Sequence, residues 1–191
     1  MLRRRRELKT DYVQRLALLK SGKARLVIRR SLNNYHIQVI TFDENDKTLV
    51  DVMSKNLKKL GWKGHGGNLS SAYLTGFLAG AMALKHGVKE ANVDIGLQMS
   101  VKSCGLFAAA AGARDAGISV AIGKEAIPSM DRIKGKHVAD YAAKIKATDA
   151  YKKQFSSYIK NQLMPEDLPK HFDEIKAKIA AEFGVKQKVE A

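Results

Sequence analysis

Ala24-Arg25-Leu26-Val27-Ile28-Arg29-Arg30, then Ser31-Leu32-Asn33-Asn34, then Tyr35-His36-Ile37-Gln38-Val39-Ile40-Thr41-Phe42 is the stretch that decides the fold. In the first run Leu26 and Ile28 fall on one face, as a period of two requires of a strand. The second run is dense in β-branched and aromatic residues, which suit a pleated surface. Asn33-Asn34 between them is a turn signal. Glu44-Asn45-Asp46 marks a second turn, and a third strand is expected over 48–53. Connections this short predict an antiparallel meander.

Downstream the pattern changes. Residues 55–68 read as a polar, glycine-rich loop, and 70–86 as a helix stopped by Gly87. A short strand follows over 91–96, an alanine-rich helix over 105–116 ended by Gly117, and a last strand over 118–122. Gly76 and Gly80, four apart in the first of these helices, predict close helix-to-sheet packing. Helices alternating with strands argue for parallel crossovers added to the meander. The predicted class is α/β: a five-stranded mixed sheet, antiparallel meander plus parallel crossovers, flanked by helices.

Crossovers of this kind are right-handed, which fixes directions. With the Asn33-Asn34 turn as the top, the third strand returns there. The exits of the fourth and fifth strands, 97–103 and 123–129, lie there too. Open α/β sheets bind ligands outside the carboxyl ends of their parallel strands. Arg29, Arg30, Lys55, Lys58, Lys59, Lys63 and Lys102 are therefore expected to converge on one edge.

Upstream of the meander lies most of the charge. The first thirty-five residues hold eleven Lys/Arg against Glu7 and Asp11, which is +9 of the net +15. Arg3-Arg4-Arg5-Arg6 opens the run; Lys9, Arg15, Arg25, Arg29 and Arg30 belong to it. A short helix is expected over 10–19, capped by Thr10 or Asp11. A cluster this one-sided repels itself unless a polyanion neutralises it. Nucleic acid serves well, because neutralising phosphates releases condensed counterions. The alternative is a solvated basic arm without a fixed partner. A pI of about 9.9 agrees with a nucleic-acid or anionic-membrane partner. The membrane option is the weaker one. The longest apolar stretch, 73–84, is far short of the ~20 residues of a span, and the arm has few apolar anchors, so no membrane partner is expected.

From Asp131 onward the chain reads as helical, over 137–145, 151–162 and 169–183, with prolines 165 and 169 as breaks. The expected organisation is a basic arm and short helix over 1–22, an α/β RNA-binding core over 23–130, and a helical C-terminal extension over 131–191. That extension packs on the domain or on a partner. With Cys104 the sole cysteine, no intrachain disulfide is possible, which suits a reducing cytosol. Four arginines after Met1-Leu2, with no apolar run, do not read as a signal peptide.

The segment Gly61-Trp62-Lys63-Gly64-His65-Gly66-Gly67-Asn68 is the most unusual. Glycines such as Gly64 and Gly67 let backbone N–H groups approach an anion closely. Asn68 or Ser70 is placed to cap the next helix, whose positive end favours phosphate. Trp62 and His65 can stack on bases and Lys63 can pair with phosphate. No Gly-Lys-Ser/Thr follows, so this is not a Walker loop. The alternative is a loop with a packed tryptophan. At the hairpin tip, Arg29, Arg30, Asn33, Asn34 and Tyr35 mix cationic, amide and aromatic groups, which grip phosphates and exposed bases. The five histidines are scattered without metal-ligand spacing, so no metal is expected. Two-metal nuclease chemistry needs clustered carboxylates; of the candidates Asp43, Asp51 and Asp94, Asp43 belongs with Asp46 to the far turn and Asp51 lacks an acidic companion. No enzyme and no cofactor is read here.

These residues resemble a known family. The arginine-rich start, Lys9-Thr10-Asp11-Tyr12, Arg25-Leu26-Val27-Ile28-Arg29-Arg30-Ser31 and Gly61-Trp62-Lys63-Gly64-His65 occur in the order found in the large-subunit ribosomal protein that binds 5S ribosomal RNA. It is called L-eighteen in bacteria and archaea and L-five in eukaryotes. Asp94-Ile95-Gly96-Leu97 is similar as well, and Gly135-Lys136-His137-Val138-Ala139-Asp140-Tyr141-Ala142 points to the archaeal and eukaryotic branch. The resemblance spans about 3–146. It implies a ribonuclease-H-like sheet without nuclease carboxylates. It also implies 5S ribosomal RNA as partner in the central protuberance, with large-subunit ribosomal RNA and neighbouring proteins, including the 5S-binding L-five-type partner, and a place in the cytoplasmic ribosome. One departure is the segment 98–104, which is less basic than is usual in the family.

A ribosomal reading assigns the residues as follows. Arg3, Arg4, Arg5, Arg6, Lys9, Arg15, Arg25, Arg29 and Arg30 neutralise phosphates. Tyr12, Tyr35, Trp62 and His65 stack or fill the RNA minor groove. Asn33, Asn34 and Asn68 supply amide hydrogen bonds, and Lys63, Gly64 and Gly67 complete the loop's contacts.

Overall fold

Strand β1, Ala24–Arg30, pairs antiparallel with β2, Tyr35–Asp43, which pairs antiparallel with β3, Asn45–Met53. Strand β4, Glu90–Asp94, runs parallel to β1, and β5, Ser119–Val120, runs parallel to β4. The order is β3-β2-β1-β4-β5, the expected five-stranded mixed sheet. This computed structural model describes residues 2–184. The end of the expected C-terminal extension, 185–191, lies outside the described residues.

One strand differs from expectation. The second turn is a single residue, Glu44, at φ 58°, so Asp43 pairs directly with Asn45. β3 therefore starts three residues earlier than its β-branched content suggests. A register shift between Val39 and Ile40 accommodates the offset.

Nine α-helices accompany the sheet among the described residues: α1 Arg3–Arg6, α2 Tyr12–Lys20, α3 Leu69–Lys85, α4 Gly105–Asp115, α5 Met130–Lys134, α6 Lys136–Ile145, α7 Asp149–Gln154, α8 Ser156–Lys160 and α9 Leu168–Phe183. α3 and α4 cover one face of the sheet, where Leu26, Ile28, Ile37, Val39, Val50 and Val52 are buried. Gly76 and Gly80 do mark a close approach, but to α4 rather than to the sheet. A Cβ at Gly76 would lie 1.9 Å from the Ala109 carbonyl oxygen. The two helix backbones meet here because glycine or alanine stands at the closest points, Gly76 and Gly80 on α3 against Ala109, Gly112 and Ala113 on α4.

The C-terminal extension packs on the domain. α9 lies on α3 and contributes Phe172, Ile175 and Ile179, all fully buried, to the same core. The single helix expected over 151–162 is broken at Phe155, which leaves helical geometry at φ −102°, ψ 20°. Phe155 is buried with the rings of Tyr141, Tyr151 and Tyr158 around it, at 5.4 to 6.4 Å between centres. On the opposite face of the sheet sits α2. Asp11 caps it, accepting from the backbone N–H of Val13 (2.9 Å) and Gln14 (3.2 Å). Neither α1 nor α2 buries a residue. Among the described residues, no helix is long and apolar enough to cross a membrane.

Candidate nucleic-acid interface

The hairpin tip is a tight turn. Ser31 N–H donates to the Asn34 carbonyl (2.8 Å), and the Asn34 N–H donates back to Ser31 Oγ (3.1 Å). The glycine loop lies against it, since a Cβ at Gly66 would meet the Asn33 carbonyl oxygen at 2.9 Å. Ser54 Oγ donates to Asn34 Oδ1 (3.1 Å) and ties the tip to the turn Ser54–Lys58. These pieces enclose a cleft of about 490 Å³. Lys55, Lys58 and His65 line it, together with Ser157, Lys160 and Asn161 from the C-terminal helices. No carboxylate lines the cleft, and its three lysines make no ion pair among the described residues. His65 Nδ1 accepts from Gly67 N–H (3.0 Å), so the neutral ring carries its proton on Nε2.

The expected convergence at the top holds for Lys55 and Lys58. Two other members are held by carboxylates. Lys102 pairs with Glu125 at 2.9 Å. Arg29 points onto the open sheet face, where it joins a ladder of charges. Arg15 and Arg25 each reach Asp46 at 2.6 Å, Arg25 also reaches Asp94 at 3.3 Å, and Arg29 reaches Asp94 at 2.9 Å. Three guanidiniums thus share two carboxylates. Arg25 is only 5 % exposed and Asp94 only 6 %, so this pair is desolvated and mutually dependent. Arg25 is buried in this ladder, while Arg15 and Arg29 keep 34 % and 40 % of their side-chain surface exposed beside their carboxylate partners. The basic run gave no sign of this, because the carboxylate partners sit 21 to 69 residues from Arg25.

Two predicted stacking groups are core residues. Trp62 is 3 % exposed and Tyr35 is 2 % exposed. The Trp62 indole is covered by Gly64, where a Cβ would come within 2.6 Å of the ring, and by the imidazole of His171, stacked at 5.1 Å. Its Nε1–H is buried without a partner among the described residues. The Tyr35 hydroxyl lies where a Cβ on Gly105 would be, 1.9 Å away. Burial raises its pKa, with the Arg30 charge opposing. Asn68 is occupied as the cap of α3, accepting from Ser71 N–H at 2.7 Å.

Of the remaining predicted residues, Gly64 is buried against the indole and the others are accessible. Arg3, Arg4, Arg5, Arg6, Lys9, Arg30, Asn33, Lys63 and His65 are exposed, and Tyr12, Asn34 and Gly67 are half-buried. Arg3 and Lys9 flank Glu7 at 3.8 and 2.9 Å, surface pairs of little strength. Sequence reasoning missed Ser157, Lys160, Asn161 and His171. Asn161 Nδ2 donates to the Lys63 carbonyl (2.9 Å), and His171 Nε2 accepts from the Lys63 N–H (3.2 Å). Only the basic composition around Lys152, Lys153 and Lys160 hinted at a role for this region. Among the described residues no group of three or more His, Cys, Asp or Glu is placed to hold a metal ion.

Comparison with known proteins agrees with this geometry. A family described as the ribosomal large subunit proteins 60S L5 and 50S L18 matches residues 1–92. The large ribosomal subunit protein uL18 of Methanococcus maripaludis is 53 % identical over 179 residues, covering 93 % of this chain and 93 % of that protein. With that identity held over nearly the whole of both chains, the chain belongs to the uL18 family of large-subunit ribosomal proteins.

Proposed function

We propose that this ribosomal protein binds 5S ribosomal RNA and helps anchor it in the central protuberance. Membership of the family makes the chain a structural constituent of the large subunit in the cytoplasmic ribosome, among ribosomal RNA and ribosomal proteins. The observation that carries the finer reading is the carboxylate-free cleft at the top edge, taken with an arm whose four consecutive arginines are all exposed.

In this reading Arg3, Arg4, Arg5, Arg6, Lys9 and Arg30 neutralise phosphates, and Lys63 and His65 meet the RNA at the loop. The ladder arginines hold the arm helix on the sheet instead. Exposed Leu32, Leu97, Met99 and Val101 at the same end suit a protein neighbour, which we take to be the 5S-binding L-five-type partner. The chain acts by binding, not by catalysis.

Titration against cognate 5S ribosomal RNA at several salt concentrations, with transfer RNA as competitor, tests this. Binding that resists the competitor and weakens with salt is expected. Binding abolished by the competitor would reduce the arm to a non-specific polycation and remove the 5S assignment.

A further inference from the structure

We infer that the cleft between the hairpin tip and α8 holds one unpaired nucleotide of the bound RNA, with the C-terminal helices as its second wall. This rests on the RNA-binding reading above and adds a site and a ligand class to it.

The first observation is size. At about 490 Å³ the cleft falls within the range that houses one small-molecule-sized group, roughly 300–1,000 Å³. A nucleotide turned out of its helix has such dimensions, whereas a duplex presents a broad phosphate surface. Unpaired nucleotides are also what proteins read in RNA, since the A-form major groove is too narrow for side chains.

The second observation is chemistry. Lys58 on one wall and Lys160 on the other are ammonium groups without carboxylate partners among the described residues, suited to a phosphate between them. The Asn33 side chain is exposed and unbonded among the described residues. Asn161 uses its Nδ2 on Lys63, which leaves Oδ1 to accept from a base edge. His65 is exposed with its ring orientation fixed through Gly67, a surface for stacking. Trp62 lines the same wall, its buried indole N–H without a partner among the described residues.

The third observation is that the second wall is fastened. Asn161 and His171 grip the two backbone groups of Lys63, at 2.9 and 3.2 Å. A cleft held open in advance needs little ordering to bind.

Trp62 is the chain's one tryptophan and lines the cleft, so its emission reports occupancy. The full-length protein and its Lys160→Glu variant are titrated with cognate 5S ribosomal RNA, a five-nucleotide single-stranded RNA and a blunt RNA duplex. Lys160 is exposed and its side chain makes no hydrogen bond or ion pair among the described residues, so the variant should melt like the parent. The expected result is a weakening of roughly tenfold for 5S RNA and for the single strand. The salt slope should fall by about 0.7–0.9, and duplex binding should be insensitive to the cleft. A photo-crosslinker attached at Ser157→Cys should map to unpaired nucleotides. Unchanged 5S affinity and slope in Lys160→Glu, or crosslinks confined to paired helices, would overturn the nucleotide cleft and leave 5S binding standing. Failure of the parent protein to bind 5S RNA would overturn both.

Discussion

The imidazole of His171 lies flat on the indole of Trp62, ring centres 5.1 Å apart and planes 12° from parallel. Its Nε2 accepts from the Lys63 N–H, so the ring must be neutral there. Burial lowers the His171 pKa, the charges of Lys63 and Lys178 lower it further, and Glu174 opposes.

A pH dependence follows from that. A histidine whose folded pKa is depressed binds fewer protons folded than unfolded. Its stabilisation is complete above the unfolded value of about 6.5 and is lost as pH falls through the folded value. Thermal melts between pH 7.5 and 5 should show a falling midpoint. His137 is also lowered, by burial first, so the comparison with His171→Phe isolates the ring. That variant keeps the stack and should lose part of the slope. An identical slope in both proteins would remove His171 as the cause.

Asp94→Ala takes the counter-ion from two arginines and leaves Arg25 charged and buried. Breaking a buried pair on one side costs about 3–5 kcal/mol. Urea unfolding should register a loss of this size, far above that of Glu7→Ala on the surface. A loss below 1 kcal/mol would mean that Arg25 finds water or Asp46 alone sufficient.

Gly76→Ala sets two effects against each other. Alanine favours a helix over glycine by about 1 kcal/mol. The new methyl would sit 1.9 Å from the Ala109 carbonyl oxygen, and the reciprocal contact, Gly112 on the Tyr73 carbonyl, is equally close at 2.1 Å. Overpacking of this kind costs about 1–3 kcal/mol or more, and here the neighbour is backbone that cannot rotate away. The variant should be destabilised. A raised melting temperature would show that the helices separate freely.

Removal of residues 1–9 should leave the melting temperature unchanged, because this segment buries nothing. The same deletion should weaken 5S ribosomal RNA binding. If Arg3 to Arg6 each neutralise a phosphate, the salt slope should drop by about 3. An unchanged slope would place the phosphate contacts elsewhere.

The fold was legible wherever neighbouring residues decide it. β1 and its alternation, the caps at Asn68 and Asp11, and the stops at Gly87 and Gly117 are local signals. The early start of β3 was not, because a left-handed Glu44 carries no composition mark. At the site, exposure and long-range partners decided what composition left open. Trp62 reads alike as a base platform and as a core residue until His171 is folded onto it. Arg25 reads as a phosphate ligand until Asp46 and Asp94 arrive from other strands. Lys160 looks like any solvated lysine until Asn161 is seen holding the Lys63 carbonyl.

The order of synthesis gives the His171–Lys63 contact a further meaning. Domains fold from the N-terminus as the chain emerges, so the meander and its two covering helices can assemble while the last residues are still being added. The Lys63 backbone is not clasped on both sides until Asn161 and then His171 have been made. A half-finished copy would carry the sticky arginines without the closed cleft that gives them a proper address. Competence for assembly thus arrives with the finished chain, and truncated products should be poor competitors for the same place in a new ribosome.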